Sequence, residues 1–356
     1  MTPNIRVLIV DDSLMMRRLL TEILGGTPGI EVAGAAGDAA SAREMLLSAR
    51  PDVITLDVKM PGTDGLAILA EIMRERPTPV VMVSYFTQEG AKSTLSALEL
   101  GAVDYVGKPI GNSGQGVTDF KQEIVERIRT ASGINPLKPR LPRASAPPRV
   151  LTASGAINII AIGGSTGATE VFKKIFSELP AHLPGIVAVQ HMPEDFTKTF
   201  AQNLDQFSEM EVREAEPGDE IRPGTALIAR GDHHMAIRRS ETGYRVEMHQ
   251  GEKLWGCRPA VDVLFESVAK TAGGNAIGVI LTGMGQDGAA GLVRMKKNGA
   301  RTIVQDEASS VVFGMPKKAI ELGGAGSVVP LQDIPSKIIE LLAAPPKNPT
   351  PLDGVD

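Results

Sequence analysis

This sequence has no excess of cysteine, aromatic residues or positive charge. Cys257 is the single cysteine among 356 residues, which rules out an intrachain disulfide and suits a reducing compartment. Aromatic residues make up only 4%, so a core must be built from aliphatic side chains. No apolar run approaches the roughly 18 residues that a membrane helix needs. Met1-Thr2-Pro3-Asn4-Ile5-Arg6 leads directly into an apolar strand without the pattern of a signal peptide. A formal charge of −5 argues against wholesale nucleic-acid binding, which calls for a basic surface. These absences predict a soluble, cytoplasmic chain with no nucleic-acid partner and no membrane insertion. Abundant instead are glycine, with 38, and proline, with 25, as suits an α/β protein with many short turns. The length allows two domains, each with its own core.

Short apolar runs alternate with amphipathic stretches from the start. Residues 5–10, 32–35, 53–56, 80–83 and 104–106 read as strands, and 14–24, 39–49, 66–74, 91–100 and 119–131 as helices. Five βα units predict a parallel sheet with right-handed crossovers. From Ile134 to Ser154 the texture changes: Pro136, Pro139, Pro142, Pro147 and Pro148 alternate with Lys138, Arg140, Arg143 and Arg149, with no acid. This reads as an extended linker whose charge marks either a binding site or the solvation of an exposed segment. Beyond it, 157–162, 186–190, 225–229, 276–282 and 302–305 read as strands and 170–179 as a helix. Residues 236–239 and 245–249 flank Ser240-Glu241-Thr242-Gly243 as a hairpin. The expected division is a first domain at 1–132, a basic Pro-rich linker at 133–154 and a second domain at 155–343. That second domain is doubly wound and mostly parallel α/β with one antiparallel hairpin, and a tail at 344–356 reads as disordered.

Asp11 and Asp12 follow the first strand, Asp57 the third, Ser84 ends the fourth and Lys108 follows the fifth. Ligand sites of open parallel sheets form at that carboxyl edge. Clustered carboxylates repel unless a cation sits among them, and oxygen donors suit Mg²⁺. A divalent ion would also screen an incoming phosphoryl group, letting a carboxylate act as nucleophile while Lys108 and the Ser84 hydroxyl bind phosphoryl oxygens. Singly these aspartates would pass for helix caps, Asp12 above all. Together on one edge they point to chemistry.

Val10-Asp11-Asp12-Ser13, Leu56-Asp57-Val58-Lys59-Met60-Pro61-Gly62 and Gly107-Lys108-Pro109 closely resemble the response-regulator receiver family, over residues 5 to about 130. The resemblance implies a (βα)5 receiver with Asp57 as phospho-acceptor. It also implies Mg²⁺ held by Asp11, Asp12, Asp57 and the Lys59 carbonyl. Ser84 and Tyr105 would be a switch pair, the hydroxyl following the phosphate while the ring turns inward.

Gly163-Gly164-Ser165-Thr166-Gly167 matches a nucleophile elbow, with a strand before it and a helix after it. Such a turn equally suits a phosphate cradle at a helix N-terminus. A base and an acid are available for the first reading. His191 emerges after the strand 186–190, and Asp287 lies in the glycine-rich loop after 276–282, so both converge with Ser165 on one sheet edge. The chain order Ser, His, Asp disfavours the ordinary esterase fold, in which His comes last. His182 reads as exposed, His249 as a solvated strand end, and His233 and His234 as residues of a loop that lines a cleft. A metal site is the weaker reading, for want of further ligand spacing.

Ile162-Gly163-Gly164-Ser165-Thr166-Gly167, Gln190-His191-Met192, Arg258-Pro259-Ala260-Val261-Asp262, Leu281-Thr282-Gly283-Met284-Gly285 and Phe313-Gly314-Met315-Pro316 resemble the catalytic domain of the CheB family. These are chemotaxis protein-glutamate methylesterases/glutaminases, and the resemblance spans residues 157 to about 342. It implies Ser165 as nucleophile, His191 as general base and Asp287 as its orienting acid. The Met284 N–H and Thr166 would serve the oxyanion. Gln286, Cys257 and Tyr85-Phe86 depart from the family's usual residues. Nothing nearby is expected to lower the pKa of Cys257, so it is expected to pack or to wall the cleft.

The resemblance implies a phosphorylation-activated serine hydrolase with no cofactor in its catalytic domain. It would demethylate glutamate methyl esters, and deamidate certain glutamines, on methyl-accepting chemoreceptors. A chemotaxis histidine kinase would be its phosphodonor, and membrane receptor arrays would recruit it. The unphosphorylated receiver is expected to cover the cleft around Ser165. One alternative is a non-catalytic phospho-switch whose second domain docks a partner through its glycine loop. Another is the same chemistry on receptors of a pathway other than motility.

Overall fold

A computed structural model describes residues 3–60, 63–85, 87–109, 114–134 and 158–344. Nearly all of the expected linker, the tail beyond Ala344, and Pro61, Gly62 and Phe86 lie outside the described residues. The chain forms two compact units, Met1–Arg140 and Leu141–Asp356.

The first unit runs β1 (Ile5–Val10), α1 (Leu14–Gly25), β2 (Ile30–Ala36), α2 (Ala39–Ala49), β3 (Val53–Asp57), β4 (Lys59–Met60), β5 (Thr63–Asp64), α3 (Gly65–Glu75), β6 (Val80–Ser84), α4 (Gln88–Leu100), β7 (Asp104–Gly107) and α5 (Gly114–Ser132). Its main sheet is parallel in the order β2-β1-β3-β6-β7. β3 and β6 are buried at every residue, which explains their unbroken apolar runs: a parallel sheet covered on both faces has no polar side. Helices start where a short side chain accepts a backbone N–H, as Ser13 does from Met16, Asp38 from Ser41 and Thr87 from Gly90. The cap of α1 is therefore Ser13, not Asp12.

The second unit runs β8 (Ile159–Gly164), α6 (Ala168–Glu178), β9 (Gly185–Gln190), α7 (Glu194–Asp205), β10 (Glu211–Glu214), β11 (Thr225–Ile228), β12 (His234–Ser240), β13 (Gly243–His249), α8 (Val261–Thr271), β14 (Ala276–Ile280), α9 (Ala289–Lys297), β15 (Arg301–Gln305), α10 (Met315–Glu321), β16 (Ser327–Val329) and α11 (Ile334–Ala343). Seven strands pair in parallel in the order β10-β11-β9-β8-β14-β15-β16. The antiparallel β12-β13 hairpin closes with Ser240 opposite Gly243. The chain builds outward from β8 through β9 to one side and later, from β14, to the other. A crevice opens at the carboxyl ends where the direction reverses. On the core side, α6 buries Val171, Phe172, Ile175 and Phe176. Phe172 meets Phe200 of α7 edge-on at 5.8 Å, and each such ring contributes about 1.5–3 kcal/mol by leaving water.

Candidate active site and phosphorylation pocket

β9, β8 and β14 are neighbours, so the loops that leave their carboxyl ends share one crevice. Ser165 directly follows β8, and its N–H donates to the Thr282 carbonyl at 3.1 Å. Its own carbonyl accepts from Ala168 N at 2.9 Å and from the Gln190 amide at 3.0 Å. The turn relies on Gly167 at φ +75, where a Cβ would lie 2.4 Å from Val311. Across the crevice Gly283 presses on the serine, since a Cβ there would fall 2.9 Å from Ser165 Cβ. Ser165 is 5% exposed, so the turn that carries it is packed.

The Ser165 Oγ lies 3.2 Å from His191 Nδ1, and His191 Nε2 lies 2.7 Å from Asp287 Oδ2. With Asp287 as acceptor, Nε2 carries the proton, and the lone pair of Nδ1 accepts from the serine hydroxyl. Asp287 has two further donors. Val261 N donates to Oδ2 at 2.6 Å and Asp262 N to Oδ1 at 2.8 Å. These are the first two residues of α8, so a carboxylate from another loop caps that helix. Asp262 in turn accepts from Gly291 N at 2.7 Å and from the Trp255 indole at 2.9 Å. Burial pushes its carboxyl up, and Asp287 adds to this.

Cys257 is not a bystander. Its Sγ lies 3.5 Å from His191 Nδ1, so it packs against the site itself. The contact is made by β9's loop and the segment before α8, far apart in sequence. Burial opposes charge on the imidazole, but Cys257 and Asp287 outweigh it and hold His191 above its ordinary value. His234 also departs from expectation: it is 1% exposed and does not line a cleft. Its Nδ1 accepts from Ala260 N at 3.2 Å and its Nε2 meets the Glu252 carbonyl at 2.9 Å. Burial holds it below the usual histidine range. It thereby fixes the turn that aims Val261 and Asp262 at Asp287. His233 meets the Gly231 carbonyl at 3.1 Å, and His182 and His249 are exposed. Thr166, 4% exposed, and Met284, half-buried, adjoin Ser165 and Gly283 in the chain.

In the first unit, Asp11, Asp57 and Lys108 are buried and Asp12 is exposed. Carboxylate oxygens of Asp11, Asp12 and Asp57 lie within 4.8 Å of one another, and such hard donors fit a small divalent cation. Lys108 Nζ lies 2.8 Å from Asp11 Oδ2 and 2.7 Å from Asp57 Oδ2. Burial pushes the Asp57 carboxyl up against the pull of Lys108. For Lys108 the two carboxylates outweigh burial and raise its pKa. The Ser84 hydroxyl donates to the Tyr85 carbonyl at 3.4 Å. Tyr105 is only 8% exposed, so its ring is already inward here, and burial pushes its phenol up. The Tyr85 ring sits 5.3 Å from Lys108 Nζ, a cation–π contact.

The description CheB methylesterase matches residues 160–338, and Response regulator receiver domain matches residues 7–115. The chain belongs to the CheB methylesterase family. It is 47% identical over 348 residues to the protein-glutamate methylesterase/protein-glutamine glutaminase of Thiobacillus denitrificans, covering 96% of this chain and 98% of that protein. It is 46% identical over 340 residues to protein-glutamate methylesterase/protein-glutamine glutaminase 2 of Pseudomonas aeruginosa, covering 95% and 97%. The crystal structure of the Thermotoga maritima CheB methylesterase catalytic domain superposes with a TM-score of 0.51 at 42% identity, covering 52% of this chain and 98% of that one. Among the described residues no helix is long and apolar enough to cross a membrane.

For this CheB-family chain, sequence reasoning missed the support around the three converging residues: Gln190, Asp262, Trp255, His234 and the thiol of Cys257. Two of them had a signal. Gln190 abuts His191, and Asp262 stands where the helix after a proline turn must begin. Trp255 and His234 are brought in by tertiary packing alone.

Proposed function

We propose that this protein is a phosphorylation-activated serine hydrolase that removes methyl esters from glutamates, and amides from specific glutamines, of methyl-accepting chemoreceptors. Its role would be sensory adaptation in chemotaxis. The observation that carries the reading is the chain of contacts from Ser165 Oγ through His191 to Asp287. Ser165 attacks the ester carbonyl as Nδ1 of His191 takes the hydroxyl proton, and Asp287 stabilises the imidazolium through Nε2–H. The Met284 N–H and Thr166 bind the developing oxyanion. His191 then gives its proton to the leaving methoxide, which departs as methanol. Water, activated by the same imidazole, cleaves the acyl-enzyme to free glutamate. A glutamine side chain enters the same path with ammonia as leaving group.

Residues 1–132 form the receiver, 133–154 the linker and 155–343 the catalytic domain in this reading. Asp57 accepts the phosphoryl group from a chemotaxis histidine kinase, with Ser84, Tyr105 and Lys108 as the responding residues. Mg²⁺ held by Asp11, Asp12 and Asp57 would screen the charge of the incoming group. Receptor arrays at the membrane are where such a protein works. Methanol release from methylated receptor tests the core of the reading. Ser165→Ala should abolish it while thermal unfolding stays near wild type. Turnover at the wild-type rate would refute the nucleophile.

A further inference from the structure

Between β13 and α8 the chain makes a tight turn whose contacts all lead toward the triad. Leu254 N donates to the Cys257 carbonyl at 3.1 Å and Cys257 N to the Leu254 carbonyl at 2.9 Å. The two residues between them, Trp255 and Gly256, both have positive φ, at 56 and 77, the pattern of a type I′ turn. Glycine fits such a position freely, whereas Asn or Asp ordinarily stands at the first one. Here a tryptophan takes the left-handed conformation, with 52% of it exposed, next to Leu254 at 38%. Both the backbone and the exposed ring are unfavourable for the free protein. The indole N–H does serve Asp262, but a donor without a large apolar ring would serve equally.

The placement of the turn gives the ring a use. Cys257, two residues on, touches the base His191 at 3.5 Å, and two residues of chain span at most about 7 Å. The turn that carries the exposed Trp255 ring therefore borders the histidine that meets Ser165.

We propose that Trp255, with Leu254, is the specificity edge of the site. It would pack against an apolar side chain of the protein substrate that flanks the esterified glutamate. This rests on the esterase reading above and names how that site selects its protein substrate. Buried tryptophan contacts are typical anchors of recognition, and the turn presents the ring preorganised.

The full chain is assayed as wild type, Trp255→Ala, Trp255→Phe and Leu254→Ser. Two readouts are taken: KM and kcat for methanol release from methylated receptor, and the rate of Ser165 labelling by a fluorophosphonate. Both Trp255 variants lose the indole N–H, but only Trp255→Phe keeps an aromatic ring. The expected result is a KM at least tenfold higher for Trp255→Ala than for Trp255→Phe, with labelling equally fast in the two. Leu254→Ser should raise KM about threefold with kcat unchanged. Equal KM values for the two Trp255 variants, or labelling that falls in step with receptor turnover, would overturn the proposal and assign Trp255 to Asp262 alone. Failure of the wild type to label at Ser165 would instead overturn the esterase reading.

Discussion

Asp287→Asn changes one atom in a fully occupied acceptor. The carboxylate takes three N–H donors: His191 Nε2 and Val261 N on one oxygen and Asp262 N on the other. An amide has a single carbonyl to offer. Turned toward Asp262, it sets its NH2 against Val261 N–H and His191, and the imidazole escapes the clash only by moving its proton to Nδ1. That nitrogen faces Ser165, so the base is lost. Turned the other way, the amide keeps the working tautomer but sets its NH2 against Asp262 N–H inside a site 2% exposed. One buried donor left unpaired costs about 1–3 kcal/mol. Loss of the charge at the start of α8 costs about another 0.5–1 kcal/mol. The variant should thus unfold roughly 2–4 kcal/mol more easily. Its kcat should fall by about 10⁴, as expected for a triad forced into the wrong tautomer. Methanol release and denaturant unfolding of the same preparation measure both. A rate within tenfold of wild type, or unchanged stability, would refute the reasoning.

Asp57→Asn should prevent phosphorylation by small phosphodonors with Mg²⁺, because no other buried carboxylate ends β3; persistence of label at full stoichiometry would place the acceptor elsewhere. His191 lies above its ordinary 6.5 through Cys257 and Asp287. A base acts when neutral, so the rate should climb as pH rises through that elevated pKa. Cys257→Ala removes one contributor and should move the acid limb of kcat/KM to lower pH; an unmoved limb would show that the thiol is uncoupled from the base. A chain beginning near Ser154 should demethylate receptor faster than the unphosphorylated full chain and ignore phosphodonor; equal rates would mean that the receiver does not restrain the catalytic domain.

The meeting of Ser165, His191 and Asp287 was legible because they sit where physics puts ligands in any open parallel sheet. Each follows an apolar run that could be recognised as a buried strand, and the carboxyl-edge rule then brings the three loops together. The same rule gathered Asp11, Asp57 and Lys108. Short edge strands escaped: β10 and β16 have four and three residues, too few to show a period. Ring orientation escaped as well, since which nitrogen of His191 meets Ser165 depends on the approach of Asp287 from the β14 side. The contact of Cys257 with His191 escaped because its neighbours in sequence are not its neighbours in space. His234 looked like a cleft residue from its adjacent His233, yet an alternating strand sends consecutive side chains to opposite faces.

The sequence distances between Ser165, His191 and Asp287 bear on when this site is completed during synthesis and folding. Ser165 and His191 are 26 residues apart, but His191 and Asp287 are 96 apart. The first pair requires only β8 and β9 to associate, a comparatively local event, whereas the acid arrives only when β14 docks on the other side of β8. Non-local pairings of this kind form late because a long loop must close first. A nascent chain would thus hold the serine and histidine on neighbouring strands, with neither the Thr282 carbonyl behind the serine turn nor a carboxylate behind the imidazole. The complete site should appear last, together with the capping of α8.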